Sequence, residues 1–420
     1  MGTNQTENIS IPCIQGDGIG PEIMDAARNV IDLAVLAAYQ GKKVISWLPL
    51  EAGKSAFQTR GEWLPAETLA AIKKFKIGFK GPLTTPVGGG IRSLNVQLRQ
   101  ELDLYVCQRR AFWFEGLPSP HRNPKGIDIT IFRENTEDIY TGIEYQAGSA
   151  SQSRWLASFA QTHPEDYAKI AHPEECGIGI KPISKTGSQR LVKAAIEWAL
   201  DNHKKRLTLA HKGNIMKFTE GAFRSWGYEI AETEFKDSVF TKRQYDTIAT
   251  THNQEAASIA KQTAIADGKL FVDDVIADVV FEQLITHPQQ FDVLATTNLN
   301  GDYISDAAAA LAGGVGISPG ANINYAAGTA IFEANHGSAD DLAGKDIANP
   351  SSLILSGEMM LRFLGLHEAA DLVNYGVSEA IRKRLVTLDL ARQIDGAKPL
   401  GTLAFTQAVI GIIKSSVERL

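Results

Sequence analysis

Cysteine is scarce in this chain of 420 residues, which holds only Cys13, Cys107 and Cys176. An odd count with no metal-ligand spacing argues against a disulfide framework and reads as reduced thiols, which places the chain in the cytoplasm. Long apolar runs are missing too. None approaches the ~18 residues a membrane span needs, and the polar stretch 1–10 lacks the apolar core of a secretion signal. Charge of one sign is not in excess: 42 basic against 48 acidic side chains leave a net −6, which argues against a general nucleic-acid binder. Internal repeats and low-complexity tracts are absent. What remains, 44% hydrophobic and 21% charged, is an ordinary globular composition, long enough for two or three domains.

The stretch Asn298-Leu-Asn-Gly-Asp-Tyr-Ile-Ser-Asp306 organises the rest. An apolar strand at 291–297 precedes it and an alanine-rich helix follows. Asp302 and Asp306 stand four apart at a helix start and share one face. Asp278 lies upstream in Val275-Ile-Ala-Asp-Val279. Carboxylates converging on one point repel unless a cation separates them, and hard oxygen donors suit Mg²⁺ or Mn²⁺. The alternative is that Asp302 simply caps a helix and favours its dipole.

Strand, glycine turn and helix open the chain, as Ile9–Ile14, Gly16-Asp-Gly-Ile-Gly20 and an apolar stripe of Ile23, Ala27, Val30, Ile31 and Ala34. This is the layout of a dinucleotide site, but the glycines do not follow the Rossmann spacing. Further strands are predicted at 44–50 and 77–80. The loop 81–93, rich in Gly, Pro and Thr, has a ligand-binding composition. Beyond it come Ser93, Asn95, Arg99, Arg109 and Arg133. Asn95 and Arg99 are four apart on a predicted helix, and Arg109 and Arg133 end predicted apolar stretches. One arginine is usually a surface charge. Three at element ends, with Ser and Asn beside them, fit a pocket for a polyanionic acid, because guanidinium forks grip carboxylates in bidentate fashion. Lys212 lies just past a predicted strand, beside Gly213. Residues 146–176 break the α/β rhythm as an insertion or oligomer-forming arm, and 232–268 carry no clear pattern. Residues 316–322 and 332–349 are predicted loops, with helices after them.

Taken together, Ser93-x-Asn95-x-x-x-Arg99, Arg109, Arg133-Glu-Asn-x-Glu-Asp-x-Tyr140, Lys212-x-Asn214 and Asn300-Gly-Asp-x-x-Ser-Asp306 resemble the β-decarboxylating dehydrogenases of 2-hydroxy acids, the isocitrate/isopropylmalate dehydrogenase family. Within it they look like the bacterial homodimeric isocitrate dehydrogenases. The similarity runs from Gly16 to Ala397 and thins at 146–170 and 232–268. It implies a non-Rossmann α/β fold with a large domain (1–104 and 314–420) that binds the cofactor. A small α/β domain (105–137 and 183–313) would carry substrate, metal and dimer contacts, and a clasp (138–182) would lock a homodimer. Lys212 and Asp278 would reach into the neighbouring subunit's site. Arg99, Arg109 and Arg133 would hold the carboxylates of isocitrate, with Ser93 and Asn95 hydrogen-bonding. Asp278, Asp302 and Asp306 would hold the metal. Lys212 would act as base and Tyr140 as proton donor.

The resemblance also assigns a cofactor surface: Thr85, Asn214, Glu333, His336, Gly337, Asp341, Leu342, Ala348 and Asn349. Where NADP-using relatives carry Lys-Tyr, this chain has Asp341-Leu342. An aspartate there accepts from a free ribose hydroxyl and repels a 2′-phosphate, so NAD is expected. Leu388 stands where another tyrosine would touch that phosphate, whereas Arg392 is kept. The rivals are an enzyme acting on isopropylmalate, homoisocitrate or tartrate, an NADP-preferring isocitrate dehydrogenase, and a metabolite-binding regulatory subunit without turnover. Phosphorylation of Ser93 is a further expectation to test.

Overall fold

The computed structural model describes residues 6–84 and 93–418. The chain opens with β1 (Glu7–Ile14), whose last four residues are buried, and a helix, Gly20–Tyr39, with Pro21 in its first turn. Proline is pre-organised for that position and its missing N–H costs nothing there. The predicted stripe Ile23, Ala27, Val30, Ile31 and Ala34 is wholly buried. Next come β2 (Lys43–Leu50), β3 (Ile77–Lys80), β4 (Val106–Phe112) and β5 (Asp128–Glu134). The short β6 (Glu144–Tyr145) and β7 (Ile178–Gly179) pair antiparallel as a separate ribbon. The chain continues through β8 (Arg206–His211), β9 (Val239–Thr241), β10 (Leu270–Ile276), β11 (Val293–Thr296), β12 (Pro319–Asn324) and β13 (Thr329–Ala334). A second ribbon, β14 (Leu385–Thr387) with β15 (Lys398–Leu400), is parallel. No helix among the described residues is long and apolar enough to cross a membrane.

One continuous sheet runs β2-β1-β3-β13-β12-β4-β5-β11-β8-β10-β9. Both arms are parallel, while β12 and β4 are antiparallel to their neighbours and reverse the direction in the middle. Such a reversal is where open α/β sheets leave a crevice. One large core joins N-terminal and C-terminal elements, from Ile11 and Phe79 to Val377 and Ile413. Two others gather elements of the middle of the chain, around Leu191 and Leu209 and around Ile129 and Ile304.

Three local readings change. The predicted loop 316–322 is largely strand: Pro319–Asn324 is buried throughout as β12. Gly320 reads as a turn residue, but a Cβ there would lie 2.3 Å from Asn335 Oδ1, so its small size serves sheet packing. The unpatterned 232–268 holds β9 and two helices, Lys242–Thr251 and Gln254–Ala266. Their start signals are in the sequence, as a capping box of Thr241 with Gln244 and an Asn253 cap. In 146–176, a helix capped by Ser149, Ala150–Thr162, stacks Trp155 and Phe159 at 4.9 Å.

Candidate active site

Sheet register builds the site. Along a strand, side chains alternate between faces, and residues directly paired across strands share one. Arg109 pairs with Gly320, which pairs with Glu333; one rung over, Arg133 pairs with Cys107, which pairs with Asn322. Both arginines, Asn322 and Glu333 therefore project from the same face. Arg109 lies mid-strand in β4 rather than at an element end, and Arg133 is the penultimate residue of β5. Gln108, Arg110 and Phe332 face the other way and line a separate, larger cavity.

A cavity of about 250 Å³ opens on the arginine face. It is lined by Ser93, Asn95, Arg99, Arg109, Arg133, Tyr140, Asp302, Glu333, His336 and Gly337, ten of the predicted residues. Ser93 precedes the helix Leu94–Glu101, yet its hydroxyl makes no capping bond and stays available to a ligand. Asn95 and Arg99 sit one turn apart on that helix. Among the described residues, four buried polar atoms of side chains that line the cavity have no hydrogen-bond partner: Asn95 Oδ1, Arg99 Nε, Arg109 Nε and His336 Nε2. An orphaned buried group costs free energy, so the two guanidinium Nε–H groups call for an acceptor and Asn95 Oδ1 for a donor, the mixed demand of a polar occupant.

Asp302 lies within the helix Asn298–Leu311, which starts after Thr297, so the capping alternative fails. Its Oδ1 pairs with the buried Arg133, and Oδ2 accepts from the Tyr140 hydroxyl at 2.8 Å. Arg133 also donates to Asn298 Oδ1 at 2.8 Å, and its guanidinium lies 5.0 Å over the Tyr140 ring. Arg109 donates to Ser305 at 2.8 Å and Asp306 at 3.0 Å. Burial would raise the Asp302 carboxyl, but the Arg133 charge, the Tyr140 hydroxyl and Arg109 hold it below the usual range. Burial, together with the Asp302 carboxylate that accepts its proton, pushes the Tyr140 phenol up despite Arg133. Tyr140 thus keeps its proton at neutral pH.

Glu333 has a part that the sequence did not disclose. It pairs with the buried Lys80 at 2.5 Å and with Arg99 at 3.3 Å, and accepts from Asn322 at 2.6 Å. Burial opposes its charge, yet Lys80 and Arg99 bring the carboxyl down to about 2. Lys80, Asn298 and Ser305 were missed as well. The available signal was a lysine closing the otherwise apolar strand Ile77-Gly-Phe-Lys80.

Gly301 is required here. A Cβ would lie 2.6 Å from Arg133 Cγ and 2.7 Å from its Cβ, atoms too near the backbone to swing away. Gly301→Ala is therefore expected to displace the guanidinium and raise the substrate KM about tenfold, the equivalent of one charge-assisted hydrogen bond. Steady-state kinetics check this, and an unchanged KM in a folded variant would refute the contact.

Not all predicted residues meet. Lys212 ion-pairs with Asp278, which holds that exposed carboxyl below its usual range, and neither residue lines the cavity of its own chain. Among the described residues of one chain, no three His, Cys, Asp or Glu side chains gather to hold a metal. The donor chemistry still fits a hard cation: oxygen ligands only, with the side chains of Asp278, Asp302 and Asp306 64%, 33% and 60% exposed.

On the cofactor side, the turn at 16–20 and the loops 81–84 and 335–340 are knitted together. Asp17 accepts from the Lys54 and Thr84 N–H groups at 2.9 and 2.8 Å, and Thr84 donates to Ser338 at 2.9 Å. Gly16, at φ +88°, lies against Pro82, where a Cβ would sit 2.5 Å from the carbonyl oxygen. Burial pushes the His336 imidazole below its usual value. Lys54 binds Asp340, while Asp341 is exposed and Leu342 half-buried. Ala348 is buried, and Asn349 is held by Asp389 and the Ser351 N–H, each at 2.9 Å. Asn214 is exposed beside Lys212, and Thr85 lies outside the described residues.

A cavity lined by three arginines and facing carboxylates on a helix, at the reversal of a large α/β sheet, has the charge and hydrogen-bonding groups that a polycarboxylic acid needs. The isocitrate/isopropylmalate dehydrogenase profile matches residues 10–409, and the chain belongs to that family. It is 53% identical to isocitrate dehydrogenase [NADP] of Staphylococcus aureus (strain Mu50 / ATCC 700699), covering 98% of this chain and 97% of the relative. It is 49% identical to isocitrate dehydrogenase [NADP] of Streptococcus salivarius, covering 96% and 95%. Among solved structures, isocitrate dehydrogenase from Methylococcus capsulatus superposes with a TM-score of 0.75 at 37% identity, over 96% of this chain and 99% of that one.

Proposed function

We propose that the chain catalyses oxidative decarboxylation of isocitrate to 2-oxoglutarate and CO₂, with NAD as hydride acceptor and Mg²⁺ or Mn²⁺ bound, as a cytoplasmic homodimer. The carrying observation is the cavity where Arg99, Arg109 and Arg133 meet Ser93, Asn95, Tyr140 and Asp302. Three guanidinium groups match three carboxylates, each charged hydrogen bond contributing about 1.5–3 kcal/mol. When bound, the ion on Asp302, Asp306 and the partner's Asp278 supplies positive charge at the substrate hydroxyl, and the nicotinamide supplies the hydride acceptor. Lys212 of the partner subunit takes the hydroxyl proton. Tyr140, which keeps its proton, delivers it to the carbon that has lost CO₂.

Shared sites are supported by what surrounds Lys212 and Asp278. Ile215, Phe218, Val279, Ile285, Ile139 and Tyr303 are exposed apolar side chains on the segments that carry Lys212, Asp278, Tyr140 and Asp302. A second copy of the chain covers that surface in this reading, with 138–182 as clasp. The proposed large lobe is 1–104 with 314–420, and the small lobe 105–137 with 183–313.

NAD preference rests on Asp341, exposed and not engaged by Lys54, with Leu342 beside it. Two observations favour NADP instead: the exposed Arg392 could pair with a 2′-phosphate, and the relatives of S. aureus and S. salivarius carry NADP in their names. Initial rates with isocitrate, Mg²⁺ and either nucleotide decide both points. The expected result is metal-dependent NADH formation, abolished by a chelator, with no turnover of isopropylmalate, homoisocitrate or tartrate. No reaction with isocitrate would end the proposal.

A further inference from the structure

The clasp, the Lys212 turn and the helix that carries Asp302 meet in a buried polar cluster away from the cavity. Its centre is Glu220, fully buried at the start of the helix Glu220–Glu234. Glu220 Oε2 accepts from the Lys212 backbone N–H at 3.0 Å and from Asn300 Nδ2 at 2.8 Å. Oε1 accepts from the Thr297 hydroxyl at 2.8 Å and pairs with the Lys181 ammonium at 3.0 Å. Lys181 also pairs at 2.5 Å with Asp138, itself fully buried and held at φ +71°. Asp138 Oδ2 in turn accepts from the Leu299 N–H at 3.0 Å, at the first turn of the Asp302 helix.

Two buried carboxylates share one ammonium. The remaining negative charge faces the N-terminus of Asn298–Leu311, where free N–H groups and the helix dipole favour it. Holding Asp138 in a left-handed backbone is costly for a residue with a Cβ, so the surroundings must enforce it. The turn that Asp138 begins contains Tyr140. One acceptor thus fixes the backbone of Lys212 while also anchoring the helix start that carries Asp302.

We propose that Glu220 is a positioning residue for two active sites at once. Through Lys212 it sets the base delivered to the partner's cavity. Through Thr297, Asn300 and the Lys181–Asp138 pair it sets Asp302 and Tyr140 in its own. The inference rests on the roles given above to Lys212, Tyr140 and Asp302. It adds that the clasp residue Lys181 is wired to both sites, so that a disturbance of the clasp reaches the proton-transfer groups directly and the arginines only through the Asn298 and Asp302 side chains that hold Arg133.

Glu220→Gln tests it in the intact dimer. Glutamine is nearly isosteric but replaces one acceptor with a donor, so in either orientation two of the four donors around it lose their acceptor. The expected kcat falls about 100-fold, as for a small misplacement of reacting groups. The KM for isocitrate changes less, within about threefold, since Glu220 makes no direct contact with the arginines. Hydrogen exchange at the Lys212 amide, followed without ligand, becomes faster. Thr297→Val removes a single donor and carries the test should Glu220→Gln not fold; its kcat is expected to fall about tenfold at unchanged KM. A folded variant with kcat within twofold of the parent, or with a raised KM and intact kcat, overturns the proposal. Lys212→Ala in the same assay separates the two levels. Full activity there would remove the role of Lys212 itself, whereas loss there with an active Glu220→Gln removes only the role of Glu220.

Discussion

Co-expressed Tyr140→Phe and Lys212→Met subunits are expected to recover about a quarter of wild-type activity, although each homodimer alone is nearly inactive. Loss of a general acid or base costs about 10²–10⁴-fold, so both parent variants give a low background. Tyr140 lines the cavity of its own chain, whereas Lys212 pairs with Asp278 outside it. In a mixed dimer, one cavity has the intact Tyr140 of the Lys212→Met chain and receives Lys212 from the Tyr140→Phe chain. The other cavity lacks both. Half of a random population is mixed and half its sites work, hence the quarter. Activity no higher than the sum of the homodimers would show that each chain uses its own Lys212, and the shared-site reading would fall. Neither substitution leaves a buried charge unpaired: Tyr140→Phe removes one hydroxyl, and Asp278 is exposed.

Asp341→Lys combined with Leu342→Tyr is expected to move the ratio of kcat/KM for NAD over NADP by at least about a hundredfold toward NADP. A negative charge becomes positive where the proposed cofactor reading puts the ribose 2′ position. The bare attraction between such charges at ~4 Å would give more, but an exposed site is screened by water and salt. The change is local. Asp340, whose carboxyl the Lys54 ammonium holds below its usual range, remains in its ion pair, and Asp341 is exposed. The isocitrate KM should therefore stay constant while the nucleotide KM values cross. A ratio that moves by less than about threefold would place the ribose elsewhere. High salt should narrow the difference between the nucleotides in the parent and the variant alike.

Part of this site was legible before any coordinates because its chemistry is tied to residue type. Arginines beside Ser93 and Asn95 and aspartates four apart carry their meaning in the sequence. Helix periodicity put Asn95 and Arg99 on one face, and strand alternation sends Arg109 and Gln108 to opposite sides of the sheet. Two features were hidden for physical reasons. β12 is composed like a loop in part because Gly320 is set by the close approach of the Asn335 side chain, which no local pattern reports. Glu333 and Lys80 look like ordinary strand-end charges because their pairing with Arg99 depends on strands far apart in the chain.

The sequence by itself indicated which side chains could neutralise a polycarboxylic acid, and where several of the strands and the first helix begin. It did so because propensity, capping and alternation act over a few residues. Only the tertiary structure decided that Arg109, Gly320 and Glu333 share a rung, that Asp302 leans on Arg133 rather than capping its helix, and that Lys212 and Asp278 stand apart from the cavity of their own chain. Those outcomes follow from sheet order and register, which are fixed by burying apolar faces from distant segments and have no counterpart in local spacing.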